Sequence, residues 1–372
     1  MRRLYLDHNA TCPLRANARA ALRAAEAEPL GNPSSAHAEG RRARRLLEEA
    51  RERLAAAAGC ARDEVVFTSG GTESNALALR AAAAGLVLHA PIEHPSVLRP
   101  LAARGGARAL PVDRWGRVDP GSIARAAAGE RPALVSVALA NHETGVVQDG
   151  AALARAAHAA GARVHCDASQ ALGKWPLSFH DLDADLLTLS AHKVGGPPGT
   201  GALLVRKGTA LAPLLLGGEQ EGGARAGTEA VGLACAFAAA AEEAVVEREV
   251  AAARWRAWIA RLRAGLAALE PAVQWNSPDD AVLPNTLNAS FPGRSGAVLV
   301  QRLDLEGVAV SHGSACASGS RQPSPVLLAL GADERRARGA VRFSVGPANT
   351  EGDVEELLAR LARALKDMAP RE

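Results

Sequence analysis

The stretch Leu186-Leu187-Thr188-Leu189-Ser190-Ala191-His192-Lys193-Val194-Gly195-Gly196-Pro197 decides how this chain is read. It opens as an apolar, strand-forming run and closes on a turn made of Gly and Pro. A strand therefore delivers Ser190, His192 and Lys193 to the point where it ends. A lysine by itself is ordinary surface material. Here the glycines let the backbone approach a bulky anion, and an amine that condenses with an aldehyde needs a seat where it can lose its proton.

The same pattern extends upstream and downstream. Residues 65–67, 86–88, 134–139, 164–165 and 202–205 are further short apolar runs, separated by helix-compatible segments near 73–83, 95–104 and 151–160. Strands alternating with helices predict a mainly parallel sheet covered on both faces, with ligands beyond the carboxyl ends of its strands. Residues 228–268 form a proline-free helical region. After it, strands at 288–291, 308–310 and 341–344 alternate with helices near 296–305, 324–330 and 352–366, which predicts a smaller α/β unit. The expected division is a large domain over 15–254 and a small domain over 255–372 joined by 1–14.

Two more strand ends carry chemistry. In Val164-His165-Cys166-Asp167-Ala168-Ser169-Gln170, Asp167 closes an apolar run, where its carboxylate suits a pyridinium nitrogen. Capping of the following helix is the other reading of that residue. Phe67-Thr68-Ser69-Gly70-Gly71-Thr72-Glu73-Ser74 reads as strand, Gly-Gly turn and helix start, an anion site built from free backbone N–H groups and the helix dipole. Its spacing is neither that of a Walker A loop nor that of a dinucleotide fingerprint. His94, in Ile92-Glu93-His94-Pro95, is either a further site residue or a structural histidine.

Composition narrows the classes. The 372 residues are 48% hydrophobic and 22% charged, as in a soluble globular protein. With aromatics at 3%, the core must come from Leu, Val and Ala. The net charge of +3 is slight, and Arg41, Arg42, Arg44 and Arg45 alternate with Leu and Glu on a helical face, so no direct nucleic-acid partner is expected. The chain shows no signal peptide and no apolar run of about 18 residues, so no membrane association is expected and the expected location is cytoplasmic. Cys12, Cys60, Cys166, Cys235 and Cys316 are odd in number and contain no CxxC pair, which predicts free thiols in a reducing compartment and no protein metal site. Cys235 lies in an apolar run, whereas Cys316 lies in a Ser/Gly/Ala-rich stretch over about 311–324.

Taken in order, these segments resemble the class V branch of fold-type I pyridoxal 5'-phosphate (PLP) enzymes, and within it the group I (NifS/IscS-like) cysteine desulfurases. The likeness also covers Tyr5-Leu6-Asp7-His8-Asn9-Ala10-Thr11, Gly31-Asn32-Pro33-Ser34-Ser35 and Asn141-His142-Glu143-Thr144-Gly145-Val146-Val147-Gln148. It continues through Arg225-Ala226-Gly227-Thr228, Gly313-Ser314-Ala315-Cys316 and Val341-Arg342-Phe343-Ser344.

The resemblance implies an α/β fold with a seven-stranded, mainly parallel sheet, a homodimer, and removal of sulfur from L-cysteine to give L-alanine. Lys193 would hold PLP covalently and later shuttle the Cα proton. Asp167 would pair with the ring nitrogen, Gln170 would hydrogen-bond the phenolic oxygen, and His94 would stack on the ring and take part in proton transfer. Gly71, Thr72, Ser190 and His192 would hold the phosphate, with Thr228 reaching over from a second subunit. Asn32 and Arg342 would bind the substrate carboxylate. Cys316, on a mobile loop, would take the sulfur as a persulfide and pass it to an acceptor or scaffold protein for iron–sulfur cluster assembly or thiolation. It could also ligate a transferred cluster. His142 stands where the family usually has Asn beside the cofactor, so a pH-dependent imidazole replaces an amide. His312 stands where Ser is common. A selenocysteine lyase or a class V aminotransferase would share Lys193 and Asp167, and the aminotransferase would not need Cys316.

Overall fold

Val65–Thr68 and Leu186–Ser190 are buried at every position, as strands covered on both faces must be. The computed structural model describes residues 2–82, 84–313, 322–366 and 368. Numbered along the chain, the strands are β1 (Leu4–Tyr5), β2 (Val65–Thr68), β3 (Val87–His89), β4 (Ala107–Ala109), β5 (Leu134–Ala138), β6 (Arg163–Asp167), β7 (Leu186–Ser190), β8 (Gly201–Val205), β9 (Gln274–Trp275), β10 (Thr286–Ser290), β11 (Val308–Ala309) and β12 (Ala340–Ser344). Seven of them form one sheet in the order β2-β8-β7-β6-β5-β3-β4. Only β8 runs against its neighbours. This is the expected seven-stranded, mainly parallel sheet.

Helices cover it. Ala38–Ala58 begins where His37 accepts from the Gly40 N–H and stops at Gly59, whose φ of 68° is the left-handed conformation that ends helices. Val231–Leu269 is 39 residues long. Its first three turns are mostly small side chains, Ala234, Ala236 and residues 238–241 among them, which lets it lie close against Ala16–Glu26 and Ala38–Ala58. Its second half puts Trp255, Trp258, Leu262 and Leu266 into a separate apolar core with Leu4, Leu6, Phe291 and Phe343. The boundary expected at 254–255 falls inside one continuous helix, a few residues past the change of core between Val245 and Ala251. In the second core β9, β10 and β12 form an antiparallel sheet, and β1 pairs in parallel with β11. Among the described residues, no helix is long and apolar enough to cross a membrane.

The helix expected over 73–83 ends as an α-helix at Leu79 and continues as a single tight turn, Arg80–Ala82. The strands β4 and β9 and the helix Ala16–Glu26 were not expected.

One buried clamp fixes the strand that leads to the Gly-Gly turn. The Glu221 carboxylate accepts from Arg51 Nη1 and Nη2 at 2.7 and 2.8 Å and from the Phe67 N–H at 2.8 Å, while Arg51 also donates to Val65 O at 2.7 Å. The Glu221 side chain is 1% exposed, and its backbone sits at φ 50°, a region that side chains rarely adopt. Glu221→Ala leaves a buried guanidinium with only the partly exposed Glu48, 3.5 Å from its Nε, as an ionic partner. It is expected to cost about 3–5 kcal/mol, read as a lower urea midpoint at unchanged slope.

Candidate active site

The carboxyl ends of β2, β5, β6 and β7 open into one cavity of about 180 Å³. Gly71, Thr72, His94, His142, Asp167, Gln170, Ser190, His192, Lys193 and Arg342 line it together, with Asn9, Ala10, Asn75 and Ser96. Ten of the expected site residues thus meet at the place where an α/β sheet gathers its ligands. Asn32 and Thr228 are exposed and do not line the cavity; the Asn32 Oδ1 accepts from the Ser34 N–H. Cys316 lies outside the described residues.

Each wall has a local cause. Helix Gly71–Leu79 starts after Gly70, which offers no side-chain cap, so the first N–H groups face the cavity rim. A methyl group at Gly71 would meet Ser169 Oγ at 3.1 Å and Ser190 Cβ at 3.4 Å, so glycine keeps this cradle open. Lys193 ends the tight turn Ala191–Lys193 that follows β7, and its Nζ donates to the carbonyls of Asn9 and Ala10 at 2.7 and 2.9 Å. His192 shares a 3.2 Å contact between Nδ1 and Thr11 Oγ1, and burial with the nearby Lys193 charge pushes it down to about 4.

Asp167 is anchored on both oxygens. Oδ2 accepts from Asn75 Nδ2 at 2.8 Å, and Oδ1 accepts from the Ser169 N–H at 2.9 Å. The Asn75 amide also donates to Ser96 Oγ at 2.9 Å, and that hydroxyl is 2.7 Å from His94 Nδ1. The Ser96 N–H reaches the same nitrogen at 3.1 Å because His94 caps helix Pro95–Arg104. His94 Nδ1 is therefore the acceptor and Nε2 carries the ring proton. Asn75 was not singled out from sequence. The signal was an amide on a helix face otherwise made of Ala and Leu.

His142 stands in the cavity wall beside His94. Its ring stands edge-on to His94, with centroids 5.3 Å apart and planes at 74°. Burial first, then the charges of His94, Arg342 and Lys193, hold it well below the usual histidine range. It is a neutral imidazole at physiological pH, so its charge does not vary there. Its Nε2 is buried without a hydrogen-bond partner.

Arg342, at 1% exposure, crosses from β12 to the cavity. One Nη donates to Asp7 Oδ1 at 2.6 Å and the other to the His142 carbonyl at 2.7 Å, while Nε is buried without a partner. An orphaned buried donor at Arg342, an unsatisfied ring nitrogen at His142, a carboxylate fixed by Asn75, and an open helix start suit a flat, cationic-ringed molecule carrying a phosphate. That donor set fits PLP.

Asn9 ties these groups together and was missed as a site residue. Its carbonyl accepts from Lys193 Nζ and from Gln170 Nε2. Its side chain joins Thr286, Asn285 and Lys174. The motif 5–11 was visible in sequence; partners nearly 300 residues away were not.

A second hollow of about 520 Å³ shares Thr72, His94 and Ser96 with the inner cavity. His312, Gly313, Gln322 and Ser324, the described residues on either side of the Cys316 segment, line it. Ser324 Oγ donates to the buried Glu143 carboxylate at 2.6 Å. His312 Nδ1 donates to the Ala340 carbonyl at 2.7 Å. The four described cysteines are all poor thiolates: burial raises Cys12, Cys166 and Cys235, and pushes Cys60 up to about 12.

The family model described as Aminotransferase class-V matches residues 4–357. The chain is 39% identical over 382 residues to "Cysteine desulfurase IscS" of Dictyoglomus turgidum, covering 99% of this chain and 97% of that one. It is 41% identical over 369 residues to "Cysteine desulfurase" of Bradyrhizobium diazoefficiens, covering 96% and 93%. Among solved structures, a NifS-like protein superposes at TM-score 0.92 with 34% identity, covering 98% of this chain and all of the other. The NifS-like protein from Rickettsia africae superposes at 0.92 with 30% identity and covers 98% and 100%.

Proposed function

The chain belongs to the class-V aminotransferase family, and from that premise we propose that it is a PLP-dependent cysteine desulfurase that places the sulfur of L-cysteine on Cys316. The observation that carries this reading is the convergence of Lys193, Asp167, the Gly71–Thr72 helix start and Arg342 on one cavity. PLP, when bound, supplies an electron sink that makes the Cα proton of an amino acid acidic. The chain supplies the rest. Asp167, fixed by Asn75 and Ser169, would face the ring nitrogen, and the N–H groups at 71–72 with Ser190 and His192 would hold the phosphate. Arg342 would fork onto the substrate carboxylate, its orphaned Nε offering a free donor. Lys193 would move the Cα proton. The net step balances as L-cysteine plus the Cys316 thiol giving L-alanine plus the Cys316 persulfide.

Cys316 is favoured as acceptor because every described cysteine is held as a thiol, and the thiolate is the nucleophile. The residues flanking it line the outer hollow that shares His94 with the inner cavity. A homodimer is supported by exposed Thr228 and by the exposed run 214–216, joined to it through the Ala226 N–H to the Leu215 carbonyl. The partner outside would be a sulfur-acceptor or scaffold protein. The separate apolar cores support 15–254 as the cofactor-binding unit and 1–14 with 255–372 as the unit carrying the loop.

The test is to supply the PLP-loaded protein with L-cysteine and a thiol reductant and to measure alanine and sulfide. Equimolar alanine and sulfide are expected. Turnover of selenocysteine alone, or amino-group transfer to a 2-oxo acid, would replace this reading with the lyase or the aminotransferase.

Asn75→Ala is expected to weaken PLP binding about tenfold, the worth of one hydrogen bond to a charged group. Titration of the cofactor-free protein with PLP checks it. An unchanged affinity would mean that Asp167 orients itself without Asn75.

A further inference from the structure

Lys174 lies beneath the cavity floor, not in its lining. It is 6% exposed, and its Nζ donates to Gln170 Oε1 at 2.9 Å and to Asn9 Oδ1 at 3.3 Å. Among the described residues, no carboxylate lies within ion-pair distance of it. The titratable and charged groups facing it are Lys193, Arg342, His8, His192 and Cys12. Burial and the Lys193 charge bring its ammonium down to about 7. A methionine of the same length would fill this space without that desolvation cost. The amine therefore serves for its N–H groups rather than for packing.

What those groups hold is an amide that has two faces. Gln170 sits in a turn, and its side chain has one accepting and one donating end. With Oε1 taken by Lys174, Nε2 is left to donate to the Asn9 carbonyl, on the side of Lys193. We propose that Lys174 is a positioning residue that locks the amide of Gln170 with its N–H side toward the cavity, where the cofactor's ring oxygen would lie. The inference rests on the PLP reading above. An amine donates N–H whether or not it is protonated, so the lock works on both sides of its own titration.

The test uses the visible band of the PLP-loaded protein, titrated with pH. An N–H aimed at the ring oxygen disfavours protonation of the neighbouring Lys193 nitrogen, so losing it raises the midpoint. Gln170→Ala and Lys174→Met are each expected to move the midpoint up by about half a pH unit or more, the scale of one hydrogen bond. The double variant is expected to match Gln170→Ala alone, because one residue acts through the other. Lys174→Ala should give the same shift if methionine packs badly. Additive shifts in the double variant, or a Lys174→Met protein that titrates like the parent, would overturn the proposal. A parent protein that stays colourless after PLP is added overturns the cofactor reading itself and this proposal with it.

Discussion

Lys193→Ala gives a folded protein that stays colourless with PLP and has lost desulfurase activity by about 10³-fold or more, general-base groups being worth typically 10²–10⁴. The fold survives because the side chain contributes little apolar contact. Removing it leaves the Asn9 and Ala10 carbonyls short of one donor each beside a cavity that water can enter. The colour is lost because Nζ is the atom that would bond the cofactor's aldehyde. The nearest other buried amine cannot replace it. Lys174 is pinned to Gln170 and Asn9 and does not line the cavity. Absorbance, melting temperature and alanine release on one preparation separate these effects. A yellow Lys193→Ala protein with parental activity would move the proton-transfer role elsewhere in the cavity.

Cys316→Ser is the second large effect, and its signature is the opposite. The cofactor band stays, because Lys193, Asp167, Ser190 and His192 are unchanged. Alanine and sulfide release fall by about 10²-fold or more, since a serine hydroxyl is hardly ionised where a thiol is partly thiolate. The other cysteines do not compensate. Cys12, Cys166 and Cys235 are buried, and burial raises all four described thiols. With ³⁵S-cysteine, label that is retained on the parent and discharged by reductant should be missing from the variant. Parental rates in Cys316→Ser would send the sulfur directly to an external thiol.

Some of this architecture could be read directly from the chain because its causes are local. The strands 65–68, 134–138 and 186–190 are continuous apolar runs, and Asp167 and Lys193 stand where two such runs end. β4, with Ala107, Arg108 and Ala109, has no apolar or β-branched signature and forms only because β3 is there to pair with it. The supporting amides and charges were invisible for a related reason. Asn75 matters through Asp167, and Glu143 through Ser324. Lys174 matters through Gln170, and a lysine in a turn is solvated by default. The low proton affinity of His142 depends on burial and on His94, Arg342 and Lys193, brought from different segments. Sequence spacing shows which groups exist; it does not show which are dry.

The first strand has a consequence for how this protein is made. β1 pairs with β11, the Leu6 carbonyl accepts from the Ser344 N–H, and Asp7 holds Arg342. The segment that seats Lys193 thus precedes these partners by more than 300 residues and is translated well before them. Domains assemble as their contacts become available, so a nascent or prematurely stopped chain lacks a finished floor under Lys193. A chain stopped before Arg342 has no guanidinium to pair with Asp7, and its cavity lacks one wall.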